Sequence, residues 1–274
     1  MSYEILLYGE LVWNFPLLAI LAGILFLYFY ILKRYTTVKL YRKPPVLFLL
    51  SICLLYFTIG SPLSAFSHLS FSLHMFQMSI LYFIIPPLLL AGIPPQFFET
   101  IHPNRTIKWI GSIFLPAKFA LILFSFLFLI YHLPVAMSLF SQYPIVQNGL
   151  LFFLFFLSFN LWWPVLSPIP EQRLYKERKK RYLFLSGILL MPACTIFIAQ
   201  ALIDGAQHPF LHQLSAQLCF PPEAMDLNIL PPFFHTKYDQ VIAGSLMLGI
   251  HKLGMVLSSR LVPDVEEEGQ NPLS

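Results

Sequence analysis

The chain has 274 residues, of which 57% are hydrophobic and only 11% charged, with 28 Phe and 13 Tyr. Soluble domains carry about a quarter charged residues, so the composition excludes one and points to an all-α, polytopic membrane helix bundle, a single integral membrane domain over residues 1–274. The net charge of +4 lies in short basic clusters between long apolar runs, a pattern of topology signals rather than a phosphate-tracking groove, so a lipid bilayer is expected as partner and nucleic acid is not.

Along the chain, residues 1–10 hold Glu4 and Glu10 but no Lys or Arg, and no small-residue cleavage site follows the first apolar run. That run reads as a retained span rather than a signal peptide. A span needs about 20 mostly apolar residues, and seven stretches qualify: 11–32, 45–62, 72–93, 112–133, 148–168, 182–204 and 239–260. Loop 33–44 carries Lys33, Arg34, Lys39, Arg42 and Lys43, loop 94–111 carries Arg105 and Lys108, and loop 169–181 carries Arg173, Lys176, Arg178, Lys179, Lys180 and Arg181. In 63–71, 134–147 and 205–238 Lys237 is the only Lys or Arg. The positive-inside bias therefore predicts an N-terminus outside, an extracytoplasmic loop over 205–238 and an acidic cytoplasmic tail over 261–274. The long loop, punctuated by Pro209, Pro221, Pro222, Pro231 and Pro232, reads as a lid or docking loop. Pro86, Pro87 and Pro192 fall inside spans, where each removes a backbone hydrogen bond.

Polar residues in these spans carry the chemistry. His74, Gln77 and Met78 fall in the first two turns of the third span, on one helix face by their spacing. His132 ends the fourth span and Asp239 and Gln240 begin the seventh, at the same membrane level. With His68, His208, His212 and His235 in the outer loops, six of the eight histidines gather at one face of the membrane. Imidazole and thioether together suit Cu(I), and carboxylate clusters suited to Mg or Ca are missing. The bland alternatives are a hydrogen-bonding strut for each histidine and gap filling for Met75 and Met78. A second ladder, Met247, His251 and Met255, reads as packing and helix-end anchoring; His102, Glu223 and Asp226 read as solvated. Cys53, Cys194 and Cys219 form no CxxC pair. The chain has no hydrolase elbow, phosphate-binding loop or HExxH helix, and is not expected to be an enzyme.

Five stretches also resemble a known family. They are SPLSAFSHLSFSLHMFQM with IIPPLLLAGIPP (Ser61–Pro95), YHLP (Tyr131–Pro134), WWPVLSPIPE (Trp162–Glu171), MPAC (Met191–Cys194) and DQVIAGSLM (Asp239–Met247). In content and order the chain resembles the multi-span CtaG family of cytochrome c oxidase assembly factors, associated with caa(3)-type oxidase. The chain departs from the family at Met78, where a second histidine is usual, at Ala243, where the DQxxGG block has glycine, and in having no histidine from Leu133 through Gln207. A Met for His keeps a Cu(I) ligand but weakens a Cu(II) or haem site.

The resemblance implies a bacterial multi-pass cell-membrane protein that assists copper insertion at the binuclear centre of the oxidase large subunit, taking the ion from an extracytoplasmic copper donor. The candidate metal residues are His74, Met75, Met78 and His132, with Gln77, Asp239, Gln240 and Met247 around them. A membrane redox protein linked to haem or quinone, with His74 and His132 as axial ligands, is the alternative.

Overall fold

Asn14 opens the first helix by accepting the Leu17 N–H at 2.9 Å, and three later helices begin on a proline within their first two positions, where its missing N–H costs nothing. The computed structural model describes residues 13–67, 70–100, 114–203 and 237–265. Its helices are α1 (Phe15–Tyr35), α2 (Lys43–Ile59), α3 (Leu63–Phe66), α4 (Phe71–Phe83), α5 (Ile85–Ala91), α6 (Gln96–Thr100), α7 (Ala117–Tyr131), α8 (Pro134–Gln142), α9 (Pro144–Leu166), α10 (Lys176–Ile203) and α11 (Lys237–Leu261). His68, His102, most of loop 205–238 with its three histidines, Glu223, Asp226 and Cys219, and most of the acidic tail lie outside the described residues.

Among the described residues five apolar stretches are long enough to cross a membrane: Phe15–Tyr35, Phe71–Ala91 (α4 with α5), Pro144–Leu166, Lys176–Ala199 and Tyr238–Leu261. Helices α2 and α7 coincide with the other two expected spans but have 17 and 15 residues. At 1.5 Å per residue they reach about 25 and 22 Å, against about 30 Å of hydrocarbon. The chain is thus a multi-pass, all-α membrane protein.

Several segments expected as loops are helical, among them the short α3 in 63–71 and α6 in 94–111. Residues Lys176–Arg181, read as part of a basic inner loop, form the first turns of α10, because Lys, Arg and Glu are good helix formers that a hydropathy window discards. Helix α8 likewise lies within the expected outer loop 134–147.

Helix α4 is central, packed along α11 and against α2 and α9, while α10 and α7 close the far side and α1 attaches mainly to α2. The expected third span is broken at Ile84. Pro86 has no N–H to offer the carbonyl four residues back, and the Trp162 indole N–H donates to that Tyr82 carbonyl instead, at 2.9 Å. Gly92, Gly244 and Gly254 set close crossings, the last of α11 on the Phe83 carbonyl of α4. A Cβ on Gly92 would lie 2.8 Å from the Phe48 backbone, and one on Gly244 would lie 2.5 Å from the Cys194 carbonyl. Short motif stretches therefore act as joints between helices: α5 on α2, α4 on α9, and α11 on α10.

The opposite end of the bundle is tied by one ion pair. Lys179, 5% exposed, donates to Asp264 at 2.9 Å, and the Lys176 N–H bonds the Val265 carbonyl at 3.2 Å. The lysine hydrogen bond holds the Asp264 carboxyl below its ordinary range.

Candidate functional site: a cleft on one face of α4

The first turn of α4 has four backbone N–H groups without intrahelical partners and the positive end of the helix dipole. Asp239 of α11 meets two of them, and the Ser70 hydroxyl oxygen accepts a third, from the Leu73 N–H at 3.3 Å. The Ser70 hydroxyl donates to the Asp239 carboxylate at 2.8 Å, the Phe71 N–H at 2.7 Å and the Ser72 N–H at 3.1 Å. Asp239 is 2% exposed, and a carboxylate buried among apolar helices persists only with such compensation. It is committed to holding α4, and with the Phe83 ring tilted against His251 at 4.7 Å a dozen residues further along both helices, α4 and α11 run parallel.

That anchoring fixes which way α4 presents its side chains. Residues 74, 77, 78 and 81 line one face. There they floor a cleft of about 290 Å³. Leu55 and Ile59 of α2 make one wall; Gln147, Asn148, Leu151, Phe152 and Phe155 of α9 make the other; Ser64 and Ser67 close one end. Phe152 on the rim is 75% exposed, so the cleft opens sideways between α2 and α9.

His74 is held from behind. Its Nε2 lies 3.3 Å from the Tyr131 hydroxyl, and Tyr131 is hydrogen-bonded in turn to Gln147. Gln77 donates its amide to the Thr58 carbonyl at 2.6 Å, tying the floor to α2. Both His74 and Met78 are almost fully buried by the walls.

The other expected site residues lie elsewhere. Met75 sits one turn after Phe71, whose ring packs edge-on against Phe197 at 5.6 Å, and is itself enclosed in the core. His132 caps α7, with Nδ1 2.6 Å from the Phe128 carbonyl, and its ring packs on Phe128 and Phe197. Tyr131 touches both imidazoles, with centroids 6.0 Å from His74 and 5.1 Å from His132. Of the candidates, His74 and Met78 thus line the cleft, whereas His132 and Met75 are enclosed in the core and do not. Gln240 and Met247 are buried in the α11 seam. His251 packs on Phe83, and Met255 accepts from the Ser186 hydroxyl at 3.5 Å.

Sequence reasoning missed Tyr131, Gln147 and Asn148 as site residues. The usable signal was a pair of amides at the start of an apolar span; nothing local pairs Tyr131 with His74. Among the described residues no group of three or more His, Cys, Asp or Glu side chains converges on a metal-sized site. What the cleft offers is one imidazole and one thioether in apolar surroundings, a donor set for a soft monovalent cation.

No curated protein and no solved structure matches the chain. A family model does, over residues 26–262, from within α1 to the residue after α11. That range contains the cap, the proline break, the glycine crossings and the whole cleft, and by it the chain belongs to the cytochrome c oxidase caa3 assembly factor (Caa3_CtaG) family.

Proposed function

We propose that this assembly factor receives Cu(I) at His74 and Met78 and passes it toward the binuclear centre of the oxidase large subunit. The observation that carries the reading is the pairing of these two soft donors on the one face of α4 that borders an open cleft. Among the described residues the cleft is lined by no carboxylate, so hard, hydrated cations find little match there. Copper here is cargo. In the tautomer with the proton on Nε2, directed at Tyr131, the His74 lone pair is on Nδ1, and Tyr131 with Gln147 orients the ring as outer-shell groups orient metal-ligating histidines. The family assignment favours the assembly role over a haem- or quinone-linked redox role.

The proposal includes seven spans, with α2 and α7 crossing as short helices in locally thinned bilayer, the N-terminus outside and the cleft in the outer half of a bacterial cell membrane. An extracytoplasmic copper donor would then reach it. Reporter fusions after Lys43 and Arg181 will read as cytoplasmic and a fusion at Gln142 as external; the reverse pattern refutes the orientation.

Cu(I) competition against a chromogenic chelator tests the site on purified protein. His74→Leu and Met78→Leu will each lose most of the binding, and the double variant little more, as expected for residues acting on one ion. Small, additive losses would make them packing residues.

A further inference from the structure

A second cavity lies at the opposite end of α2 from the cleft, beside the basic segment that joins α1 to α2. Thr36, at the end of α1, accepts the Val38 N–H on its hydroxyl at 3.3 Å, and the Arg42 N–H bonds the Lys39 carbonyl at 3.0 Å. This tight turn sets Lys39 and Arg42 on the wall of a pocket of about 560 Å³, with Thr37 beside them. Pro94, Pro95 and Gln96, from the corner between α5 and α6, also line it. That corner is held to α1, because the Tyr28 hydroxyl donates to the Gly92 carbonyl at 2.7 Å and the Tyr28 ring packs edge-on against Phe97 at 6.0 Å. The volume falls within the range of roughly 300–1,000 Å³ usual for ligand sites.

The surroundings of the pocket are those of a membrane interface. Tyr35, Leu40, Tyr41 and Val46, next to the two cations in the chain, are each at least half exposed, and the Lys39 ammonium lies 5.8 Å from the centre of the Tyr41 ring. Aromatic and basic side chains mixed in this way at the end of an apolar span mark the headgroup level.

We propose that this pocket binds the phosphodiester headgroup of an anionic phospholipid, with Lys39 and Arg42 on the phosphate oxygens. Ammonium and guanidinium groups match phosphate oxygens by charge-assisted hydrogen bonds. That chemistry alone would take a free phosphate as well. The lipid is selected by the rest of the site: prolines and Val38 in the wall suit an amphiphile better than a hydrated ion, and the exposed apolar side chains alongside give its acyl chains a surface to follow. Residues 33–44 hold five Lys or Arg and no Asp or Glu, so the local field draws anionic lipid to this end of the bundle. A headgroup seated there bridges the α1–α2 turn to the α5–α6 corner and so fastens α1, which otherwise attaches mainly to α2.

Lipid titration of the purified full-length protein, read by native mass spectrometry, tests the site with phosphatidylglycerol as the anionic probe and phosphatidylethanolamine of the same acyl chains as the zwitterionic one. The wild type will prefer phosphatidylglycerol, and Lys39→Gln combined with Arg42→Gln will reduce that preference about tenfold or more. Lys176→Gln combined with Arg178→Gln, which removes the same two charges from the exposed start of α10, will leave it unchanged. Equal losses from the two double variants mean diffuse attraction to basic surface and overturn the proposal, as does a wild type without preference. Inorganic phosphate in millimolar excess will not displace the lipid; displacement makes this a soluble-anion site and overturns the lipid assignment. Cu(I) binding will be the same in every variant, since none touches His74 or Met78, so failure here and failure of the copper reading are seen separately. Should the glutamine variant fail to accumulate, Thr37→Trp keeps both cations while filling the pocket, and will lose the preference for phosphatidylglycerol; a wild-type preference in that variant refutes the site.

Discussion

Helix α4 has two faces made of similar residues and put to opposite uses. On the side toward α11, and at its C-terminal break, each polar demand is met inside the fold: Asp239 takes two N–H groups of the first turn, and Trp162 takes the carbonyl that Pro86 leaves without a partner. On the side toward α2 and α9 the neighbouring helices stand apart, and His74 and Met78 border open volume instead of a complementary surface. A bundle that can close around one face of a helix can close around the other. That this one leaves a cleft of about 290 Å³ at the face with His74 and Met78 is the difference on which the proposed copper role rests.

The contrast is broken most severely at the cap. Asp239→Ala strands a hydroxyl and two amide N–H groups in the apolar interior, where each unmet buried group costs about 1–3 kcal/mol and the loss of a helix cap alone about 1 kcal/mol. The expected result is a loss of several kcal/mol, seen as a collapse of membrane abundance and a lower Tm in detergent; normal abundance would mean the carboxylate is not what holds α4. Trp162→Phe is the milder cut, keeping an aromatic ring while removing the donor to the Tyr82 carbonyl and part of the buried indole volume. About 2–3 kcal/mol should go, read as a Tm shift with copper handling intact.

Against these, His74→Leu should cost only about 1 kcal/mol, the worth of a hydrogen-bonded strut in a membrane bundle, while removing Cu(I) binding. Large stability loss with unchanged binding would put His74 among the scaffold residues. The smallest effect belongs to the far end. Because the folded-state pKa of Asp264 is depressed, by the Lys179 hydrogen bond first, the pair's contribution is present above the unfolded carboxyl value of about 4 and is lost as pH falls through the folded value. Asp264 is 38% exposed, so screening keeps the contribution below about 1 kcal/mol. The Tm difference between wild type and Asp264→Asn should be measurable at neutral pH and vanish in acid; a difference that persists in acid would contradict the pairing.

Helix class, the positions of the apolar helices and the common face of His74, Gln77 and Met78 were legible in the sequence, since composition and a period of 3.6 suffice for them. The helical start of α10 was not, because a basic amphiphilic segment resembles a loop to any hydropathy window. Nor was the division of the histidine and methionine residues. His74 and Met75 are adjacent in sequence, yet a rotation of about 100° per residue sends one to the cleft and the other into the core, and which side is open depends on where α2 and α9 stand. Asp239 looked like a possible site residue because an acid in a span is functional by default; its partners, nearly 170 residues away in the chain, make it a cap.

The central claim, that the open face of α4 serves copper delivery, is tested most directly by the copper-to-haem ratio of the oxidase isolated from cells whose only copy of this protein carries His74→Leu. The account predicts a large subunit that is made, inserted and furnished with haem, with this protein present at near-normal abundance, and a binuclear centre depleted of copper. An oxidase with its full copper and full activity in those cells would contradict it.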